Sequence, residues 1–221
     1  MSIAQRFQKL RAEVPPHVAI VAVTKFQPVQ AVREAIAAGV ADIGENYVQE
    51  ARAKFESLPP DAVRRHFIGH VQTNKARLIA ATFDVVQSID RLDAAEALSK
   101  AAGALGKTLA VLLQINISPS ERFGCAPHNA AALAAAVRAL PALCLDGVMA
   151  IGPITEDRSA IAQAFATAAD VWREVGGDVL SVGMSGDWEQ AVDAGSTMIR
   201  VGTGIFGPRP AARVSKTTAI S

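Results

Sequence analysis

The sequence contains few cysteines, few aromatic residues, no long apolar run and no excess of either charge. Its two cysteines, Cys125 and Cys144, cannot form a disulfide framework, which favours a reducing, cytoplasmic compartment. The 22 basic and 21 acidic residues are scattered, so neither nucleic acid nor an anionic membrane is expected as a partner. Every apolar stretch is shorter than the roughly 18 to 20 residues of a transmembrane helix. Charges interrupt residues 1–14, which is typical of an amphipathic helix and not of a signal peptide.

What the sequence does contain is a regular alternation of short apolar runs and longer helical patterns. Several short runs are apolar throughout, as strands are when both faces of a parallel sheet are covered. With a leading helix over 3–13, the alternation predicts a single (β/α)8 TIM-type barrel over 1–221, although an open doubly wound sheet shows the same periodicity. The predicted strands cover 18–23, 41–44, 66–69, 84–88, 109–117, 145–150, 179–184 and 197–201. The predicted helices cover 28–38, 46–57, 74–81, 91–104, 127–139, 157–174 and 187–194.

The first predicted strand raises a chemical question, because its six apolar residues lead through Thr24 into Lys25. A lysine ammonium at the end of a buried strand must reach solvent, pair with a carboxylate, or lose its proton for a chemical purpose. A partly desolvated amine has a lowered pKa and can attack an aldehyde or ketone to form a Schiff base. Since the active sites of such barrels lie where strands end, Lys25 is a candidate for this chemistry.

Glycine-rich turns follow the seventh and eighth predicted strands, at 183–187 (GMSGD) and 202–207 (GTGIFG). The second turn matches the dinucleotide fingerprint G-x-G-x-x-G, but only 14 residues follow it and none is acidic, so a Rossmann site is rejected. Backbone N–H groups and the hydroxyls of Ser185 and Thr203 can instead surround a phosphate, although plain turns would use the same residues. Together with Lys25, such a phosphate site predicts a phosphorylated carbonyl compound that is held at both ends.

Other chemistry-bearing residues point to no second site. The four histidines are dispersed, with no H-E-x-x-H or Cys-x-x-Cys pattern, and no metal is expected. His66 and His70 are four positions apart, the spacing of metal ligands on a helix, but the sequence places them on a strand and a loop. His66 and His70 are interpreted as part of a polar wall or a solvated loop. Cys125 is interpreted as an inert thiol.

Motifs that run in order from about residue 18 to 209 carry a resemblance to a known family. They are VAVTK, GENYVQE, HFIGHVQTNK, QSIDR, QINIS, GVMAI and VGMSGDWEQAVDAGSTMIRVGTGIFG. Through them the chain resembles the pyridoxal phosphate homeostasis proteins, single-domain barrels related to the first domain of alanine racemase. The resemblance implies that pyridoxal 5′-phosphate (PLP) is bound to Lys25 as a Schiff base and lies beside Asn46. It also implies that Ser185, Gly202 and Thr203 hold the phosphate.

The resemblance further implies that Arg200 faces the pyridine nitrogen of PLP, where most PLP enzymes place a carboxylate that keeps the ring protonated. An always charged arginine disfavours that proton and weakens the ring as an electron sink. The implied function is intracellular vitamin B6 homeostasis, with an effect on amino-acid metabolism. We expect the protein to be a cytoplasmic monomer. Such a protein would store PLP and supply apo-enzymes that need it, without turnover of its own.

Two enzyme hypotheses stand beside the PLP-binding protein. A PLP-dependent amino-acid racemase follows from the kinship with alanine racemase, but racemisation needs an acid/base group on each face of the substrate. The sole tyrosine, Tyr47, is a poor candidate for the second group. A class I aldolase fits Lys25 and the phosphate site but not the family motifs. The loop 119–125, PSERFGC, departs from the Lys-Ser-Gly-type stretch of similar proteins, so the sequence assigns it no role.

Overall fold

The computed structural model describes residues 1–59, 61–118 and 123–208, and its eight strands form a closed parallel barrel. The strands are β1 (Ala19–Val23), β2 (Asp42–Glu45), β3 (Arg64–Phe67), β4 (Val85–Ile89), β5 (Leu109–Ile115), β6 (Leu143–Ala150), β7 (Val179–Ser181) and β8 (Met198–Val201). Each strand pairs with the next one along the chain, and β8 pairs with β1. This order confirms the predicted barrel and excludes the open doubly wound sheet.

Helices alternate with the strands, as the apolar periodicity predicts. In the described part of the chain they are α1 (Ile3–Glu13), α2 (Val29–Ala37), α3 (Val48–Phe55), α4 (Ala76–Thr82), α5 (Leu92–Ala104), α6 (Ala130–Arg138), α7 (Arg158–Val175), α8 (Trp188–Asp193) and α9 (Thr203–Phe206). Single 3₁₀ turns at Thr73–Lys75 and Pro127–Asn129 lead into α4 and α6. The capping box of Ser2 and Gln5 begins α1, the extra helix before the barrel.

The short helix α9 is the main departure from the predicted elements, because the sequence indicated only a glycine-rich turn there. Glycine is a poor helix former. However, Arg6 of α1 donates from Nε to the Ile205 carbonyl (2.7 Å) and from Nη2 to the Phe206 carbonyl (3.1 Å). Such carbonyls at a helix end otherwise lack partners, and a cation there also meets the negative end of the helix dipole. The extra helix therefore stabilises an element that local propensity does not favour.

The barrel encloses polar side chains as well as an apolar core. The strands of a parallel barrel are expected to be mainly hydrophobic, and β4 is indeed buried at every residue. Yet Thr24, His66, Gln87, Ser181 and Arg200 are all at most 4% exposed. Buried polar groups of this kind must find hydrogen-bond partners within the protein.

The described residues contain no helix that is long and apolar enough to cross a membrane and no cluster of side chains arranged to hold a metal ion. Both cysteines are free thiols; Cys125 is buried and Cys144 is exposed. Residues 119–122 of the loop 119–125 lie outside the described residues, as do residues 209–221 of the predicted domain.

Candidate functional site

A cavity of about 350 Å³ opens at the carboxyl ends of the strands. This volume falls within the range of small-molecule sites, roughly 300 to 1,000 Å³. Apolar side chains, among them those of Ile68, Met149 and Met184, form much of its wall. All six residues that the sequence analysis assigned to a cofactor line this cavity: Lys25, Asn46, Ser185, Arg200, Gly202 and Thr203.

A larger cavity, of about 880 Å³, opens between the loops after β5 and β6 and helix α7. Its polar lining consists of amides and hydroxyls such as those of Asn116, Gln163 and Thr167. Among the described residues, no acid, base or amine lines it. The larger cavity therefore lacks the groups that carry chemistry. The smaller cavity, which is lined by Lys25 and Arg200, is the candidate site.

Lys25 is half-buried and follows directly after β1, where its backbone is held on both sides. On one side, the ammonium of Lys54 donates to the carbonyl of Thr24 (2.7 Å). On the other side, the backbone N–H of Phe26 donates to Glu50 Oε1 (2.6 Å). Phe26 has a φ of 63°, a left-handed conformation that is uncommon for a residue with a side chain. Two side chains of α3 thus fix the backbone from which Lys25 projects.

The ion cluster behind this backbone comprises Lys54, Glu45 and Glu50. Lys54 is 5% exposed, and its three ammonium protons match three acceptors: the Thr24 carbonyl, Glu45 Oε1 and Glu50 Oε1 at 3.2 Å. The hydroxyl of Thr24 also donates to Glu45 Oε1 (2.6 Å). Burial raises the pKa of Glu45, although Lys54 and Thr24 act in the opposite direction. A charged group buried this deeply depends on its partner to remain stable.

Sequence reasoning missed Lys54, although a signal existed. Val48, Ala51 and Phe55 form the buried face of α3, and Lys54 lies on that same face. A lysine on the apolar face of a helix must have a buried anionic or carbonyl partner. Glu45, nine residues earlier at the end of a strand, was the available carboxylate.

Asn46 lies at the end of β2, and its Oδ1 atom is buried without a hydrogen-bond partner among the described residues. The loop after β3 approaches it so closely that a Cβ on Gly69 would lie 2.1 Å from the Asn46 carbonyl oxygen. Glycine is therefore required at position 69. Since an unpaired buried acceptor costs free energy, Asn46 Oδ1 is suited to a polar group of a ligand.

The opposite side of the cavity is formed by the turns after β7 and β8. Gly202 precedes α9 and Thr203 begins it, while the backbone N–H of Gly204 donates to the hydroxyl oxygen of Ser185 (3.3 Å). Barrels of this class commonly bind phosphate with the loops after strands seven and eight and the amino end of a short extra helix. The two turns have that arrangement.

Arg200 of β8 lies at the floor of the cavity and is 4% exposed. Its Nη1 donates to the carbonyl and the hydroxyl oxygen of Ser181, both at 2.7 Å, and its Nη2 donates to the Ala150 carbonyl at 2.8 Å. Burial lowers the pKa of Arg200 to about 10, so the guanidinium remains cationic at neutral pH. These bonds use three of its five N–H groups, and the other two have no partner among the described residues.

The remaining candidates lie away from the cavity lining. Tyr47 is 52% exposed and packs against the ring of Phe26, with 5.5 Å between the ring centroids. His70 stacks on Phe123 outside the barrel interior. His66, in contrast, is fully buried inside the barrel and not part of a solvated loop. Burial raises the pKa of the Cys125 thiol, consistent with the inert role assigned to it.

Comparison with known proteins shows to which family this chain is similar. The family model "Alanine racemase, N-terminal domain" matches residues 1–210. The pyridoxal phosphate homeostasis protein of Pseudomonas aeruginosa is 43% identical over 221 residues, which cover 94% of this chain and 96% of that protein. The protein of the same name from Escherichia coli is 43% identical over 207 residues, covering 88% of this chain and 87% of that protein.

Solved structures agree with the sequence relatives. PipY of Synechococcus elongatus, determined with PLP bound, superposes with a TM-score of 0.87 at 38% identity, covering 93% of this chain and all of PipY. An alanine racemase from Clostridium difficile has a TM-score of 0.79 at 14% identity, covering 97% of this chain but 59% of the racemase. At that identity the racemase shows the shared fold alone.

Proposed function

The chain belongs to the alanine racemase N-terminal domain family and, within it, to the pyridoxal phosphate homeostasis proteins, and from this premise we propose that it binds PLP on Lys25. We further propose that it holds the cofactor for intracellular vitamin B6 homeostasis and does not turn over a substrate. The convergence of all six implied residues on one cavity carries this proposal. The six residues come from four strand ends that lie up to 178 positions apart in the chain (Lys25 to Thr203, 203 − 25).

The residues of the cavity fit the chemical groups of PLP. When bound, PLP supplies an aldehyde that a lysine amine captures as a Schiff base, with a C=N bond in place of C=O and the loss of one water. Lys25 presents the amine, and Asn46 Oδ1 is an acceptor in need of a partner. Ser185, Gly202 and Thr203 surround the position that suits the phosphate.

Arg200 favours storage of the cofactor over catalysis. A guanidinium that is cationic at neutral pH disfavours a proton on a ring nitrogen placed against it. The electron-sink chemistry of PLP enzymes is weakened by that arrangement. Among the described residues that line the cavity, only Lys25 and Arg200 ionise. A racemase would need a second acid/base group on the other face of its substrate.

The linkage can be tested by adding PLP to the purified protein. An absorbance band near roughly 420 nm, typical of a PLP Schiff base, is expected for the wild type and should be absent in Lys25→Ala. The variant Lys100→Ala removes an exposed lysine on α5 and is the matched control, with the wild-type band expected. A wild-type protein without the band, or a Lys25→Ala protein that keeps it, contradicts the proposal.

The absence of turnover needs its own measurement. We expect no D-amino acid after incubation of the PLP-loaded protein with L-alanine and other L-amino acids, followed by chiral chromatography. Racemisation at about 1 s⁻¹ or faster, the lower range of ordinary enzymes, would establish the racemase alternative. Monomeric state, a cytoplasmic location and delivery of PLP to apo-enzymes remain predictions; delivery is testable by mixing loaded protein with a PLP-free aminotransferase and following its activity.

A further inference from the structure

A continuous line of hydrogen bonds crosses the barrel interior from the cavity floor to the amino end of the strands. Arg200 Nη1 donates to Ser181 Oγ (2.7 Å), and Ser181 Oγ donates to Gln87 Oε1 (2.8 Å). The amide of Gln87 bonds to His66 Nδ1 (2.9 Å), and His66 Nε2 bonds to Asp42 Oδ1 (2.8 Å). We call this line the barrel relay, and its members are Arg200, Ser181, Gln87, His66 and Asp42.

The barrel relay is buried and connects strands on opposite sides of the barrel. His66, Gln87 and Ser181 are each 0% exposed. The bond between Ser181 of β7 and Gln87 of β4 joins residues 94 positions apart and passes through the interior. Asp42 begins β2 and is the relay member nearest to solvent, with 19% of its side chain exposed. Bonds inside such a shielded environment polarise one another and are stronger than their exposed counterparts.

In every hydrogen bond of the barrel relay, the donor lies on the Arg200 side and the acceptor on the Asp42 side. The guanidinium can only donate, so the Ser181 hydroxyl receives that bond and gives its own proton to Gln87 Oε1. The Gln87 NH₂ group then faces His66 Nδ1, which must accept, so the ring is neutral with its proton on Nε2. The Nε2–H group of His66 donates to the Asp42 carboxylate. A reversed Gln87 amide would leave the Ser181 proton without an acceptor.

The aligned hydrogen bonds stabilise both the charge and the orientation of Arg200. The positive charge of Arg200 lies at one end of the barrel relay and the carboxylate of Asp42 lies at the other, so the dipoles of the intervening groups all favour the cation. Ser181 and Ala150 hold the guanidinium in one orientation, with two N–H groups left for a ligand. If Gln87 lost its amide, Ser181 could turn its hydroxyl elsewhere, and the orientation of Arg200 would be less well defined.

We propose that the barrel relay fixes the Arg200 guanidinium against the ring nitrogen of bound PLP, and that Gln87 and His66 are positioning residues for the cofactor. This inference rests on the proposed function, because it requires PLP in the cavity. Neither Gln87 nor His66 is among the described residues that line the cavity, and each acts through Ser181 and Arg200.

The variant Gln87→Met tests the inference, since it keeps the length of the side chain and removes both relay bonds. We expect the Kd for PLP to rise roughly tenfold, the effect of one buried polar group left unpaired, and the Schiff-base band to move. Ile89→Val, on the same buried strand, is the matched control for reduced packing, with Kd and band unchanged. In ¹⁵N spectra of wild-type protein without PLP, His66 should show a protonated Nε2 and an unprotonated Nδ1, with His66→Asn providing the assignment.

A second pair of variants keeps the test decisive if Gln87→Met does not fold. Asp42→Asn retains an acceptor for the His66 Nε2 proton and should keep the Kd within about threefold, whereas Asp42→Ala should weaken PLP binding by more than that. Unchanged Kd and band in both Gln87→Met and Asp42→Ala, with PLP bound normally by the wild type, would overturn the positioning role alone. A wild-type protein that takes up no PLP would instead overturn the proposed function, and the positioning role with it.

Discussion

The two ends of the cavity are built on different physical principles. At the lysine end, a buried ion cluster of Lys54, Glu45 and Glu50 holds the backbone around Lys25. At the end that we propose for the phosphate (the phosphate end), glycine-rich backbone and hydroxyl groups form the wall, and Arg6 of the extra helix stabilises it through bonds to the carbonyls of Ile205 and Phe206. The lysine end should therefore respond strongly to the loss of charge, and the phosphate end mainly to the loss of individual hydrogen bonds.

The largest expected effect comes from Lys54→Met at the lysine end. Removal of one partner from a buried ion pair leaves Glu45 uncompensated and should lower the free energy of unfolding by about 3 to 5 kcal/mol. Urea unfolding followed by circular dichroism measures this change. Arg52→Met, on the exposed side of α3, is the matched control, with a change within about 0.5 kcal/mol.

The double variant Lys54→Met with Glu45→Met separates charge from positioning. An apolar pair of similar volume should recover most of the lost stability. The bond from Lys54 to the Thr24 carbonyl would still be lost, and Glu50, which accepts the Phe26 N–H, would lose its bond to Lys54. We therefore expect weaker PLP binding than in the wild type. Wild-type PLP affinity in the double variant would show that the ion cluster serves stability only.

At the phosphate end, Ser185→Ala should affect ligands according to whether they carry a phosphate. Loss of one hydroxyl bond to a charged group should raise the Kd for PLP roughly tenfold. The Kd for pyridoxal, which has the aldehyde but not the phosphate, should stay unchanged. Equal weakening of both ligands in titration calorimetry would contradict the assignment of this end to the phosphate.

A smaller effect is expected for Arg6→Met, which removes the cation from the carboxyl end of α9. The loss should be about 1 to 2 kcal/mol of unfolding free energy, since the bonds to Ile205 and Phe206 are partly exposed. Lys9→Met, whose ion pair with Glu13 is exposed, is the control on the same helix, with almost no change. If thermal unfolding of the two variants is the same, α1 does not stabilise the phosphate end.

The smallest expected effect is the pH dependence that comes from Glu45. Burial raises its pKa in the folded protein above the ordinary value of 4.5, so the folded state binds this proton more readily than the unfolded chain. The free energy of unfolding therefore falls as the pH rises from 4.5 through the raised pKa. Glu45→Gln should remove that part of the slope in urea titrations across this range. Glu96→Gln, on the exposed side of α5, should leave the slope unchanged.

Much of the fold and of the cavity lining could be predicted from the sequence, because both depend on local patterns. Buried parallel strands are apolar throughout, and functional groups of a barrel follow the strand ends. These rules predicted Lys25 and the phosphate candidates Ser185, Gly202 and Thr203. The family motifs added Arg200 and the placement of Asn46 beside the cofactor. In contrast, α9 was missed because its formation depends on Arg6, about 200 positions away.

The sequence by itself determined the alternation of strands and helices, the strand end that carries Lys25 and the positions of the glycine-rich turns, whereas closure of the sheet through the β8–β1 pair is a property of the tertiary structure. Apolar periodicity and backbone preferences depend on residues that are close in the chain, so a short segment of sequence is enough to detect them. Only the tertiary structure decided which buried polar groups become partners. Gln87 of β4 and Ser181 of β7 meet because barrel closure removes both from water. Inside the barrel each polar group must bond to whichever partner lies within reach.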